Sequence, residues 1–191
     1  WGLETLIKTY QELKQEFSNM DIKFSMNLSP KQLMSESLPL DFQKILKKYR
    51  MNASNIILEI IEFAVFERHN MIFKNINKLK ELGFHIAIDG FGLDYNTLNK
   101  IEKLNIDIIK LDNEFLKEEE SYMKAKFASL LVEFAEKHNY TVICEMIEDK
   151  AMMDEAKNYH VSKMQGYYFS KPLSAESFKS YIKTEQWKHI E

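Results

Sequence analysis

The sequence predicts an α/β fold: a parallel barrel of alternating strands and helices, incomplete at its front. Three observations predict it. Short apolar runs of strand length alternate with amphipathic helical stretches over the 191 residues, the rhythm of a parallel sheet with right-handed crossovers. Six of those runs deliver a polar residue at or near their carboxyl end: Asn27, Glu59, Asp89, Lys110, Glu145 and Gln165. No glycine-rich turn follows the first strand, as it would in an open nucleotide-binding sheet. Every strand of a barrel points at the same mouth, so polar residues at six strand ends describe its functional rim. A full barrel takes eight strands in about 250 residues. Six strands in 191 residues lead us to expect two more strands and about 60 residues ahead of Trp1. Residues 1–191 are read as one domain, the carboxyl-terminal three quarters of such a barrel.

The elements follow in order. Leu3, Leu6, Ile7, Tyr10, Leu13 and Phe17 recur at helical spacing with a polar opposite face, which predicts a helix over 3–17. A strand at about 22–27 follows. Ser29-Pro30-Lys31-Gln32 reads as a helix start, with Ser29 as N-cap, Pro30 in the first helical position and Gln32 completing a capping box. A helix at about 40–50 leads to a strand at 56–61. The helix at about 69–82 stops at Gly83, a residue suited to a left-handed helix end. A strand at 84–89, a glycine-containing loop, a short helix at about 95–103 and a strand at 106–111 come next. A long helix (about 121–138), a strand (141–145), a helix (150–159), a strand (163–169) and a helix (174–187) complete the chain. No repeat or low-complexity linker interrupts this rhythm.

Composition narrows the function. Hydrophobic residues make up 45% and charged residues 29%, the balance of an ordinary globular domain. A net charge of −3 gives no electrostatic reason to expect a nucleic-acid polymer or an anionic membrane. A phosphate ligand would need local help from metal ions or a few lysines. Cys144 is the single cysteine, which excludes an internal disulfide and suits a reducing cytosol. No apolar run approaches the roughly 20 residues of a membrane-spanning helix.

Each polar strand end has an ordinary structural explanation when taken singly. Asn27 beside a helix start reads as a cap or turn residue, and Asp89 before Gly90 as loop chemistry. Lys110 and Asp112 could form an ion pair, and Glu145 with Glu148 a solvated acidic edge. Glu59 between isoleucines is different, because a carboxylate buried in a strand must be paired or ligated. Together the residues bring three carboxylates, an amide oxygen and a lysine to one mouth. Hard oxygen donors without a histidine or cysteine cluster point to Mg2+ or Mn2+ rather than zinc. His69, His85, His138, His160 and His189 lack ligand spacing, and no nucleophile elbow or phosphate-cradling loop is present. Metal-assisted hydrolysis of a phosphate ester fits such a rim.

Five ordered blocks carry a more specific resemblance: Asn27-Leu28-Ser29-Pro30-Lys31-Gln32-Leu33, Leu58-Glu59-Ile60-Ile61-Glu62, Ala87-Ile88-Asp89-Gly90-Phe91-Gly92, Asp107-Ile108-Ile109-Lys110-Leu111-Asp112 and Gln165-Gly166-Tyr167-Tyr168-Phe169-Ser170-Lys171-Pro172-Leu173. In order and spacing the chain resembles the EAL domain, the bacterial signalling family of cyclic di-GMP phosphodiesterases. The resemblance implies a modified (β/α)8 TIM barrel that linearises cyclic di-GMP to pGpG with Mg2+ or Mn2+. It implies Asn27, Glu59 and Asp89 as metal ligands, and Lys110 and Glu145 as catalytic residues. Gln165 and Asp112 would bind the ligand, and Glu62 would steady the loop after Asp89.

The chain also departs from the family pattern. The signature Glu-Ala-Leu would lie ahead of Trp1, and the family's usual second aspartate is replaced by Gly90. The loop that usually reads Asp-Phe-Gly-Thr-Gly-Tyr-Ser-Ser reads Gly90-Phe91-Gly92-Leu93-Asp94-Tyr95-Asn96-Thr97, and the usual Ala-Glu-Gly-Val-Glu reads Cys144-Glu145-Met146-Ile147-Glu148. A two-metal mechanism holds its cations about 3.5–4 Å apart, and Gly90 supplies no ligand atom for one of them. The expectation is therefore a weak or inactive domain that at most binds cyclic di-GMP. The alternatives are an active phosphodiesterase in a longer protein and a nucleotide-free interaction scaffold. Absent first strands would leave a sheet edge at which a homodimer or partner protein is expected.

Overall fold

The structure is a computed structural model that describes residues 1–61, 70–91, 101, 104–112 and 122–184, apart from the side chains of 122–125 and 127. Its helices are α1 (Gly2–Glu16), α2 (Pro30–Leu33), α3 (Leu38–Tyr49), α4 (Asn70–Glu81), α5 (Tyr122–Lys137), α6 (Lys150–Asn158) and α7 (Ala175–Lys183). Its strands are β1 (Phe24–Leu28), β2 (Ile56–Ile61), β3 (His85–Phe91), β4 (Ile108–Asp112), β5 (Thr141–Glu145) and β6 (Lys163–Met164). The strands follow the order β1-β2-β3-β4-β5-β6, and the pairs β1–β2, β2–β3 and β5–β6 are parallel. The chain divides into two compact units, Trp1–Ile109 and Lys110–Glu191, with the division inside β4.

In the first unit, the helical spacing read for α1 buries Leu3, Ile7, Tyr10 and Leu13. The capping box forms as expected: Ser29 Oγ accepts from the Gln32 amide at 3.3 Å, and Gln32 Oε1 accepts from the Ser29 amide at 2.9 Å. In a helix of four residues, this satisfies donors that would otherwise be orphaned at its start.

Four helices end in the same way. Arg50, Gly83, Asn139 and His160 take φ values of 49°, 95°, 59° and 61°, the left-handed conformation that terminates a helix. After each, an amide reaches back across the last turn: Met51 to the Leu46 carbonyl, Phe84 to Leu79, Tyr140 to Ala135 and Val161 to Ala156. This Schellman geometry turns the chain from helix back towards strand. Gly83 advertises it most plainly in the sequence, because glycine adopts a positive φ without a Cβ clash, and Asn139 is of the next most tolerant type.

The strand expected over 163–169 is shorter. β6 ends at Met164, and Gly166–Phe169 closes a turn in which the Gly166 carbonyl accepts from Phe169 at 3.2 Å. The short helix expected at 95–103 lies outside the described residues except for Ile101, which is helical and buried.

Alternation along the strands sorts the first unit's sheet into two faces. Leu28, Ile56, Leu58, Ile60, Ile86 and Ile88 point one way and are at most 2% exposed. Asn27, Glu59, Ala87 and Asp89 share the opposite face.

Candidate active site

In the first unit, the register of β1, β2 and β3 assembles three of the candidate residues. Asn27 lies directly opposite Glu59. Glu59 lies opposite Ala87, and Asp89 is two residues further along the same face, opposite Ile61. Neighbouring strands are about 4.8 Å apart and two residues advance about 6.6 Å, so the Glu59 and Asp89 Cα atoms are about 8 Å apart. All three residues lie in the carboxyl-terminal halves of their strands. Asn27 is exposed, Glu59 buried and Asp89 half-buried.

Two carboxylates and an amide oxygen on one sheet face suit one hard divalent cation such as Mg2+, which keeps several waters and takes only a few protein oxygens. Among the described residues, no group of three His, Cys, Asp or Glu side chains is placed to hold a metal ion. The donor set fits a cation held in part by the Asn27 amide. At the next position, Gly90 has φ +69° with open space where a side chain would project.

In the second unit, Lys110 and Glu145 meet. Lys110 Nζ lies 2.6 Å from Glu145 Oε1, with side chains 4% and 15% exposed. Lys110 thus has a partner on β5, 35 residues away in the sequence. Asp112 shares the Lys110 face of β4, two residues on, and is half-buried. Gln165 is exposed and held by its backbone, its amide donating to the Cys144 carbonyl at 2.8 Å and its carbonyl accepting from Ile147 at 3.1 Å. Cys144 is fully buried. Burial first, and then the Asp112, Glu145 and Glu155 carboxylates, push its thiol up to about 12, so it is an inert packing group rather than a nucleophile. Glu62 lies outside the described residues.

Two residues that hold the first unit's site in place were not singled out in the sequence. Asp107, just before β4, accepts from the Ile86 amide at 2.8 Å and pairs with Lys80 of α4. His85 Nδ1 lies 3.6 Å from the same carboxylate. The Asp107 amide donates to the Ile86 carbonyl at 3.0 Å, so one residue ties α4, β3 and the start of β4 together three residues before Asp89. Asn75 of α4, 1% exposed, donates to the Leu33 and Ser35 carbonyls at 2.7 and 2.8 Å. It thereby secures the segment that follows Asn27. The signal for Asn75 was available: it interrupts the apolar stripe Ile72, Ile76, Leu79 at a buried helical position.

The EAL domain profile matches residues 1–172. The chain belongs to the EAL domain family. Its relatives include the probable cyclic di-GMP phosphodiesterase PdeA of Escherichia coli K12, 29% identical over 151 residues, or 78% of this chain and 21% of that protein. The cyclic di-GMP phosphodiesterase PdeA of Borreliella burgdorferi is 29% identical over 174 residues, 89% of this chain and 26% of that protein. This chain thus spans about a fifth to a quarter of these relatives' length. Among solved structures, the EAL enzyme Bd1971 with cAMP and cyclic di-GMP bound superposes with a TM-score of 0.81 at 25% identity, covering 94% of this chain and 48% of that one. The PaMucR phosphodiesterase in its cyclic di-GMP complex gives 0.83 at 23% identity, covering 93% and 72%, a likeness of fold. The expected fold class, an EAL-type barrel seen in part, is therefore the observed one. Among the described residues no helix is long and apolar enough to cross a membrane.

Proposed function

We propose that this EAL domain binds cyclic di-GMP at the carboxyl ends of its strands and hydrolyses it weakly or not at all. One observation carries the reading. Asn27, Glu59 and Asp89 share one sheet face, while the position after Asp89 is a glycine in a left-handed conformation with no ligand atom to offer. Relatives named as cyclic di-GMP phosphodiesterases and solved EAL domains with cyclic di-GMP bound support the choice of ligand. Residues 1–191 act in this reading as one EAL-type domain. The single buried thiol of Cys144 fits a reducing cytosol.

The roles follow from the chemistry of each side chain. Asn27, Glu59 and Asp89 would hold Mg2+ or Mn2+, which when bound polarises the phosphoryl oxygens of the ligand. Lys110 places a fixed positive charge where negative charge develops as water attacks phosphorus and the ribose oxygen leaves. Glu145, 2.6 Å from Lys110, is the proton acceptor available to that water. Gln165 and Asp112 offer an amide and a carboxylate to the ligand's polar edges. β1 ends the strand order, and its outer edge is where a second copy or a partner protein would pair. A monodisperse monomer in solution counts against that pairing.

Calorimetry with cyclic di-GMP, with and without Mg2+, tests the binding. Saturable, Mg2+-dependent heat is expected, together with negligible release of pGpG under Mg2+ or Mn2+. Robust pGpG release from the 191-residue chain would establish an active phosphodiesterase instead. No heat under any condition would leave an interaction scaffold.

A further inference from the structure

We infer that Gly166 is a positioning residue: its missing side chain lets the chain leaving β6 cross the end of β5 at backbone contact, and that crossing sets Gln165 beside Glu145. The inference rests on the reading of Glu145 and Gln165 as site residues. A Cβ built on Gly166 would lie 2.0 Å from the Ile147 oxygen, 2.4 Å from its nitrogen and 2.6 Å from its carbonyl carbon. These are backbone atoms of a fully buried residue, so they have no room to retreat. Met146, with φ 57°, turns the chain after Glu145 so that both polar groups of Ile147 meet the crossing segment. The Ile147 amide donates to the Gln165 carbonyl at 3.1 Å, and the Ile147 carbonyl accepts from Tyr168 at 3.0 Å.

This crossing takes over where the ladder stops. β6 has two residues, Lys163 and Met164, paired with Ile143 and Cys144, and the pairing ends one residue short of Glu145 and Gln165. Gln165 is exposed, and among the described residues its hydrogen bonds are made by its main chain. Its side chain is therefore aimed by the backbone alone. Beyond the crossing, Tyr181 of α7 donates to the Phe169 carbonyl at 3.2 Å and anchors the far side of the turn. Any substitution at 166 must push Gln165 away from Ile147, and it displaces the Gln165 side chain relative to Glu145 without touching either residue chemically.

The test compares Gly166→Ala with Gln165→Ala and with Ala156→Gly, a buried change in α6 that serves as the stability control. Amide hydrogen exchange at Ile147 and Tyr168, the melting temperature and cyclic di-GMP affinity in Mg2+ are measured on the 191-residue chain. Gly166→Ala should lower protection of both amides at least tenfold and affinity at least tenfold, while Leu58 and Ile86 in the first unit keep their protection. Gln165→Ala should lose affinity with both amides still protected. Ala156→Gly should keep its affinity at whatever melting temperature it shows. Unchanged protection and affinity in Gly166→Ala overturns the inference, and so does an equal loss of affinity in Ala156→Gly. If the wild-type chain binds no cyclic di-GMP, the proposed function fails, and the exchange data still decide whether the crossing depends on Gly166. If Gly166→Ala does not fold, wild-type exchange decides: Ile147 and Tyr168 amides exchanging as fast as an open loop refute the crossing.

Discussion

Cutting the Lys110–Glu145 ion pair from one side should destabilise this EAL domain more than removing both partners. Lys110 is 3% exposed and its Nζ is 2.6 Å from the Glu145 carboxylate. At that separation and an effective dielectric constant near 20, the attraction is about 6 kcal/mol, set against several kcal/mol for desolvating each ion. The intact pair therefore contributes little net stability, while either survivor is a buried charge that has lost its 2.6 Å counterion. Lys110→Met leaves the Glu145 carboxylate beside Cys144 and should lower unfolding free energy by about 3–5 kcal/mol. Glu145→Leu leaves an ammonium in the same place and should lose a similar amount. The double variant should recover to within about 1–2 kcal/mol of wild type, giving a coupling of at least about 4 kcal/mol. Urea unfolding of the four proteins, followed by far-ultraviolet circular dichroism, measures the cycle. Effects that add to within about 0.5 kcal/mol would refute the reasoning, because independent sites add and a buried pair does not.

Three further outcomes are expected. Gly90→Asp alone should not raise pGpG release under Mg2+ or Mn2+, and its φ of +69° should make the substitution cost about 1–2 kcal/mol of stability, read from the urea midpoint. Asn75→Asp should destabilise by more than the roughly 1–3 kcal/mol of an unsatisfied buried group, since a carboxylate cannot donate to the Leu33 and Ser35 carbonyls and repels them; thermal unfolding reads this directly. Cys144 should resist alkylation at pH 8 until denaturant is added. Because folding raises its thiol from 9.0 to about 12, the unfolded chain loses that proton first, so this group's contribution to stability falls as pH rises from about 9 towards 12. A Cys144→Ala variant with the same alkaline stability slope as wild type would contradict that assignment.

The strand-end polar residues were legible because a parallel sheet imposes a period of two and one shared direction. Once the strands are located, Asn27, Glu59 and Asp89 must come to the same edge, and whether they share a face then depends on register. The capping box of Ser29 and Gln32 was legible for a similar reason: its bonds span three residues, so local sequence specifies it. What the sequence by itself determined was the succession of elements, the identity of the strand-end residues and the EAL family.

Only the tertiary structure decided which of these groups meet. The meeting of Lys110 with Glu145, 35 residues away, depends on which strand packs beside β4. The four left-handed helix ends show the same limit. Glycine marks one and asparagine suits a second, while Arg50 and His160 take that conformation with the amide after each bonded back across the last helical turn. Asp107 and Asn75 acquire their roles from carbonyls and amides that no pattern in the chain reveals. Gly166 is a strand-end glycine in the sequence, and it becomes a constraint only when the Ile147 backbone lies 2.0 Å from where a side chain would begin. Periodicity carries local and directional information, whereas contacts between distant segments depend on excluded volume and hydrogen-bond partners that exist only once the chain has folded.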